Sequence, residues 1–247
     1  MTPVSGSSPP GALRDRLSRT ARYWLGFARL LDPAHPLASL DGMHATRRIA
    51  RFTMITPAGL ADLWRLVRRV EKRRLEGAIV QCGVWRGGAA ALMARASRES
   101  GRRIWLFDSF EGFPAPGAED GADRGIAAGD WTATADDART ALRRLAVHAA
   151  RASIVPGWFE TTLPRAAPSI GPIAVLSIDA VLYASVKTCL ESLYDQVVTG
   201  GVVILDDYGY WAGCRRAVHE FLAHRAPTVE LRRTLTRACW FVKPPSP

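Results

Sequence analysis

Residues 173–208 constrain the fold of this chain more than any other stretch, because two strand-like runs in it each end in acid. The first, Ile-Ala-Val-Leu-Ser-Ile-Asp, stops at Asp179; the second, Gly-Val-Val-Ile-Leu-Asp-Asp-Tyr, stops at Asp206 and Asp207. Between them a helix-length segment, residues 184–198, closes in Thr199-Gly200-Gly201. A strand–helix–strand unit forces its strands parallel and brings their carboxyl ends to one edge. Open α/β sheets bind ligands at that edge, so three carboxylates are expected side by side where a ligand would sit. Unpaired they repel one another, and a bound cation is the economical explanation. The plainer alternative has one Asp capping a helix while the others meet water or Arg.

The rest of the chain repeats the alternation. Residues 78–84 read as a strand of small and β-branched residues, followed by Trp85-Arg86-Gly87-Gly88 and a helix over 89–97. A second strand over 102–107 ends at Asp108, and a loop rich in Gly, Pro and acid, residues 111–130, has the length of an active-site lid. Thr134 with Asp137 caps a helix expected to run through residue 149. A third strand covers 152–155, a helix 213–224, and residues 229–236 and 239–243 suit a closing hairpin. Near-continuous apolar strands between helices predict an α/β, doubly wound, mostly parallel seven-stranded sheet, with one strand inserted antiparallel by the hairpin.

Upstream, residues 1–11 are rich in Ser, Pro and Gly and are expected to be disordered. Residues 12–74 form a helical extension or cap, and 75–247 the main domain. Apolar residues at helical spacing over 13–31 predict an amphipathic helix that packs on the core or on a second copy, so a homo-oligomer is expected. Residues 41–55 show no clear pattern, whereas Thr56-Pro57 opens a helix with Thr as N-cap and Pro in the first position.

Composition narrows the function. The 247 residues are 48% hydrophobic and 23% charged, as in an ordinary globule, and no apolar run approaches the ~20 residues that span a bilayer. No secretory pattern opens the chain, which makes cytoplasmic the expected location and membrane partners unexpected. Cys82, Cys189, Cys214 and Cys239 have no metal-type spacing and read as free thiols. A net charge of +10 invites a nucleic-acid reading, but it comes from Arg spread over several segments without an accompanying motif. Solvated Arg-rich faces are the better explanation, and no nucleic-acid partner is expected.

The first strand ends Val80-Gln81-Cys82-Gly83-Val84-Trp85-Arg86-Gly87-Gly88. Glycines at a strand–helix turn admit a ligand to the backbone, and a helix N-terminus favours its anionic group. The dinucleotide spacing Gly-x-Gly-x-x-Gly is absent, as are the Walker and Gly-x-Ser-x-Gly patterns. Asp108 ends the second strand, where doubly wound folds place an acid for ribose hydroxyls; it would equally cap a turn with Ser109.

In order along the chain, Arg51-Phe-Thr-Met-Ile-Thr, Gln81-Cys-Gly-Val-Trp-Arg-Gly-Gly, Phe107-Asp-Ser-Phe-Glu-Gly-Phe-Pro, Gly157-Trp-Phe-Glu-Thr-Thr-Leu-Pro and Gly201-Val-Val-Ile-Leu-Asp-Asp-Tyr-Gly resemble the macrocin O-methyltransferase family. The resemblance runs over about residues 47–220. It implies a class I methyltransferase fold with S-adenosylmethionine and Mg²⁺ as cofactors, acting in antibiotic biosynthesis. The acceptor it implies is a small-molecule hydroxyl of a glycosylated natural product. Carried over by position, Cys82, Gly83, Val84, Trp85 and Arg86 would line the methionine part of the cofactor. Asp108 would hold the ribose with Ser109 and Phe110 beside it, Gly157 and Trp158 would sit by the adenine, and Thr53 and Met54 would close over it. Asp179, Asp206 and Asp207 match the family's metal ligands, and Asp179 would double as the base. Two departures stand out: Gln81 replaces an acid at the start of the glycine motif, and Val181 and Ala184 replace an Asp and a Glu just after Asp179. They leave a second reading open, a degenerate domain that binds cofactor or a partner without turnover.

Overall fold

Short runs of Ile, Val, Leu and Phe, too continuous for a surface helix, form the centre of the fold as parallel strands. The computed structural model describes residues 36–121, 125–234 and 236–245. The expected disorder of residues 1–11 and the amphipathic helix over 13–31 lie outside them. Strands β1 (Ala78–Cys82), β2 (Ile104–Asp108), β3 (Ala152–Pro156), β4 (Ile173–Ile178) and β5 (Val197–Leu205) are parallel, and β6 (Arg232–Arg233) and β7 (Cys239–Val242) form the terminal hairpin. The seven strands run in the order β3-β2-β1-β4-β5-β7-β6, with β7 antiparallel to β5. The expected doubly wound sheet with an inserted antiparallel strand is therefore what the chain builds.

Side chains alternate across the strands and divide the core in two. Ile79, Ile104, Leu106, Val175 and Ile204 face one side, against helices α1 (Pro36–Ile49), α2 (Pro57–Lys72), α3 (Gly88–Ala96) and α4 (Ala135–Arg144). Val80, Phe107, Leu176, Val203 and Leu205 face the other, against α5 (Phe159–Ile170), α6 (Tyr183–Leu193) and α7 (Ala212–Arg225). Each large apolar side chain so buried stabilises the fold by ~1.5–3 kcal/mol. All four cysteines are free and buried. Among the described residues, no helix is long and apolar enough to cross a membrane.

Caps set the helix starts where the sequence places them. Thr56 Oγ1 accepts from Gly59 N at 3.3 Å, and Thr134 Oγ1 accepts from Asp137 N at 3.1 Å while Asp137 accepts in return from Thr134 N. Four elements differ from expectation. Residues 36–49, which carry little pattern, are helical because Ala45 and Ile49 bury on the core and Asp41 pairs with Arg95 and Arg98, in and just after α3. The helix opened by Thr134 stops at Arg144 rather than at residue 149, where Ala146 turns to φ +55°. The helix over 184–198 ends at Leu193, and Val197-Val198-Thr199 joins β5 because β-branched residues suit a pleated surface better. Thr199-Gly200-Gly201 is then an irregularity inside the strand, where the register against β4 jumps. Finally, α5 forms although Pro164 and Pro168 lie within it. Proline in a helix interior costs ~3 kcal/mol, and burial of Leu163 and Ile170 against the sheet offsets it.

Register brings the strand ends level. Ile178 lies opposite both Cys82 and Leu205, so the next residues, Gly83, Asp179 and Asp206, stand abreast. The ladder continues past the strand ends, with Asp179 N donating to Cys82 O at 2.8 Å and Asp206 N to Ile178 O at 3.0 Å. Gly83 adopts φ +82°, and a Cβ there would overlap the carbonyl oxygen of Asp179. Gly101, also at positive φ, has open space around it. Gly83→Ala is therefore expected to cost clearly more than the ~1–2 kcal/mol of a left-handed non-glycine residue, whereas Gly101→Ala should cost only that amount. Urea midpoints of the two variants check this; equal losses would mean that the close approach is not limiting.

Candidate active site

The carboxyl edge of β1 and β2 is held together by one side chain. Asp108 Oδ2 accepts from Val84 N at 2.7 Å and from Trp85 N at 2.8 Å, and its Oδ1 accepts from Phe110 N at 2.7 Å. Trp85 and Phe110 both sit at positive φ, 47° and 60°. Left-handed non-glycine residues cost ~1–3 kcal/mol each, and bonds to a charged carboxylate offset that cost. Asp108 thus shapes two neighbouring loops whatever else it binds. Nearby Gln81, almost fully buried, donates from Nε2 to Gly83 O at 2.9 Å, while its Oε1 is buried without a partner among the described residues. An acceptor in that state is open to a donor from a ligand or water.

Asp179, Asp206 and Asp207 meet at the ends of β4 and β5, each offering an oxygen within 4.8 Å of the others. Burial, then the charges of Asp206 and Asp207, raise the Asp179 carboxyl well above the usual range. Burial and the Asp207 charge push Asp206 up to about 7. Burial pushes Asp207 up to about 6, with the bond from Val181 N at 3.0 Å and a donor from Trp211 opposing it. The neighbouring Cys214 thiol is raised as well, by burial and then by the three acids. Buried oxygen ligands held this close suit a hard divalent cation.

The acid trio opens into a cavity of about 360 Å³ that also reaches the Gly83 loop. Of the expected site residues, Thr53, Met54, Gly83, Val84, Trp85 and Asp108 line it together with Ser109, Trp158 and the three metal-site acids. The others stand apart from its lining. Cys82 is a core side chain beside Cys189, Arg86 stacks its guanidinium 4.8 Å from the Trp85 ring centre, Phe110 packs into the core, and Gly157 N donates to Asp108 O at 2.9 Å. The structure adds residues that the sequence did not single out. Phe113, Trp131, Tyr210, Trp211 and Thr236 come from three loops, where no periodicity marks them. Trp131 and Tyr210 are large apolar residues left exposed at the rim, at 52% and 38%. Among the described residues the lining holds six carboxylates (Asp108, Asp130, Glu160, Asp179, Asp206, Asp207) and no Lys, Arg or His, in a chain of net charge +10.

Residues 41–243 match the family described as Macrocin-O-methyltransferase (TylF). A Streptomyces olivaceus protein, 8-demethyl-8-(2,3-dimethoxy-alpha-L-rhamnosyl)-tetracenomycin-C 4'-O-methyltransferase, is 37% identical over 177 residues, 68% of this chain and 67% of the relative. Demethyldecarbamoylnovobiocin O-methyltransferase from Streptomyces niveus is 37% identical over 180 residues, 69% and 68% of the two chains. The solved structure of the O-methyltransferase NovP superposes with a TM-score of 0.72 at 33% identity, covering 78% of this chain and 83% of that one.

The raised carboxyls have a consequence for stability. A group whose folded pKa exceeds its unfolded value of ~3.9 stabilises the fold while protonated, and that contribution is lost as pH rises through the folded value. For Asp207 and Asp206 the loss begins near the unfolded value and is complete once pH passes about 6 and about 7. The melting temperature of metal-stripped protein should therefore fall between about pH 4 and 7 and level off above, and Asp206→Asn should flatten the decline. A pH-independent melting temperature over that range would contradict the clustering of these charges.

Proposed function

The chain belongs to the macrocin O-methyltransferase (TylF) family, S-adenosylmethionine-dependent enzymes, and on that premise we propose that it methylates a hydroxyl of a glycoside or related secondary metabolite with the help of Mg²⁺. The observation that carries this reading is the meeting of Asp179, Asp206 and Asp207 with the Gly83 loop in one cavity. The name of the Streptomyces olivaceus relative puts its methyl group on a rhamnosyl sugar, and that acceptor class is the one taken for this chain. The lining supports it: among the described residues, six carboxylates and no cationic side chain disfavour an anionic acceptor, while exposed Trp131 and Tyr210 suit a neutral ring.

The residues present fit both cofactors. A Cβ at Gly83 would fill the space next to Asp179, so the loop stays close to the sheet edge, and Gln81 Oε1 waits for a donor such as an ammonium. Val84, Trp85, Asp108, Ser109 and Trp158 would surround S-adenosylmethionine, and Thr53 and Met54 would cover it from the segment before α2. When bound, S-adenosylmethionine would supply the methyl group and Mg²⁺ would acidify the acceptor hydroxyl. Asp179, Asp206 and Asp207 would hold the metal, and Asp179 would take the hydroxyl proton. Because the nucleophile is an ordinary alcohol, holding it in line with the methyl group provides much of the acceleration.

Calorimetric titration with S-adenosylmethionine, followed by transfer assays on demethyl glycosides such as rhamnosylated tetracenomycins, tests the proposal. Asp206→Asn and Asp207→Asn are expected to lower Mg²⁺-stimulated transfer by more than ~100-fold while leaving cofactor affinity within ~3-fold. Absence of cofactor binding would sink the reading. Binding without transfer to any hydroxyl would instead favour a domain that has lost turnover, as Val181 in place of an acid allows.

A further inference from the structure

Helix α6 begins only a few residues after Asp179, yet it supplies no cap of its own. Leu182 at its N-cap makes no side-chain bond, and its first turn contains no acid. The first N–H groups of a helix need acceptors from elsewhere. One comes from far away in sequence: Asp120, in the short helical turn Ala118–Asp120 of the loop after β2, accepts from Tyr183 N through Oδ1 at 2.6 Å. Just before the helix, Asp207 Oδ2 takes a bond from Val181 N at 3.0 Å. Residues 180–183 are thus gripped by two carboxylates from different parts of the chain, and one of them belongs to the acid trio.

Asp120 is built in rather than incidental. Its second oxygen accepts from Gly117 N at 2.9 Å, which fixes its own loop. Space for it is left by Gly213, in the first turn of α7, where a Cβ would overlap Asp120 Oδ1. Glycine inside a helix is otherwise unfavourable, so this contact accounts for it. The same loop turns back on itself at its base, with Phe113 N donating to Asp130 O at 3.0 Å and Gly129 N to Phe113 O at 2.9 Å. Phe113, Pro114, Asp130 and Trp131, at that base, form part of the cavity wall.

We propose that Asp120 is a positioning residue for the proposed methyl-transfer site: by joining the loop after β2 to the N-termini of α6 and α7, it sets both the cavity wall and the orientation of Asp207. The proposal rests on the methyl-transfer function proposed for this cavity. The charge of Asp120 also lies where the dipole of α6 favours an anion. Asp120 itself lies outside the lining of the acid cavity and touches no reacting group.

The test uses the full chain with Mn²⁺ as the metal probe, followed by calorimetry, and hydrogen exchange of peptides covering residues 113–120. Asp120→Ala is expected to weaken Mn²⁺ binding by ~10-fold, the scale of losing a residue that orients a metal ligand. It should also speed exchange in the loop and leave S-adenosylmethionine affinity within ~2-fold of wild type. Gly213→Ala should reproduce these effects with Asp120 still present, and Asp120→Asn, which still caps, should retain most of the wild-type behaviour. Unchanged Mn²⁺ affinity and loop exchange in Asp120→Ala and Gly213→Ala, with a loss of melting temperature alone, would reduce Asp120 to a helix cap and overturn the proposal. If Asp120→Ala does not fold, Gly213→Ala decides. A wild-type protein that binds no Mn²⁺ would sink the metal reading instead, and loop exchange alone would then judge Asp120.

Discussion

The contact on which this structure depends is the approach of the Gly83 backbone to the carbonyl of Asp179. It is tight enough that no side chain fits between them. It exists because β1 pairs in parallel with β4, and β4 with β5, in a register that ends all three strands at the same level. A slip of one residue would move each side chain of the slipped strand into the opposite half of the core and separate the acids. The glycine loop, the acid of β4 and the acids of β5 are therefore neighbours for the same reason that the core is packed.

Charge is distributed against the overall balance. Among the described residues many arginines lie on helices and loops away from the cavity, several of them paired, as Arg95 and Arg98 are with Asp41. Six carboxylates line the cavity, and burial raises the pKa values of Asp179, Asp206 and Asp207. Net charge alone points toward polyanions. The cavity lining points the other way, because local field rather than total charge governs what a site accepts.

Asp108 and Asp120 show how carboxylates are used for architecture in this fold. Asp108 commits both oxygens to three backbone N–H groups and holds two strained residues, Trp85 and Phe110, in place. Asp120 caps a helix that begins after another strand. Asp207 shares that task through Val181 while standing in the acid trio. Loss of an acid at position 181 leaves the backbone N–H of that residue still in use, so Asp207 keeps a fixed orientation.

Much of this was legible from residue order. The strand-end acids, the glycine loop, the Thr56 and Thr134 caps and the terminal hairpin follow from local chemistry and from the parallel geometry that a strand–helix–strand unit imposes. Helix α5 was hidden because its prolines argue against a helix and only the buried faces of Leu163 and Ile170 argue for one. Helix α1 was hidden because its ion-pair partners, Arg95 and Arg98, lie more than fifty positions away in the chain. The cavity rim, with Phe113, Trp131 and Tyr210, has no periodic signature, since loop residues converge only once the sheet has set their anchors. Which strands exist and where their acids stand is local information. Which loop side chains meet over those acids, and that Asp120 serves a helix 63 positions onward, depends on packing between distant segments that no short window of sequence contains.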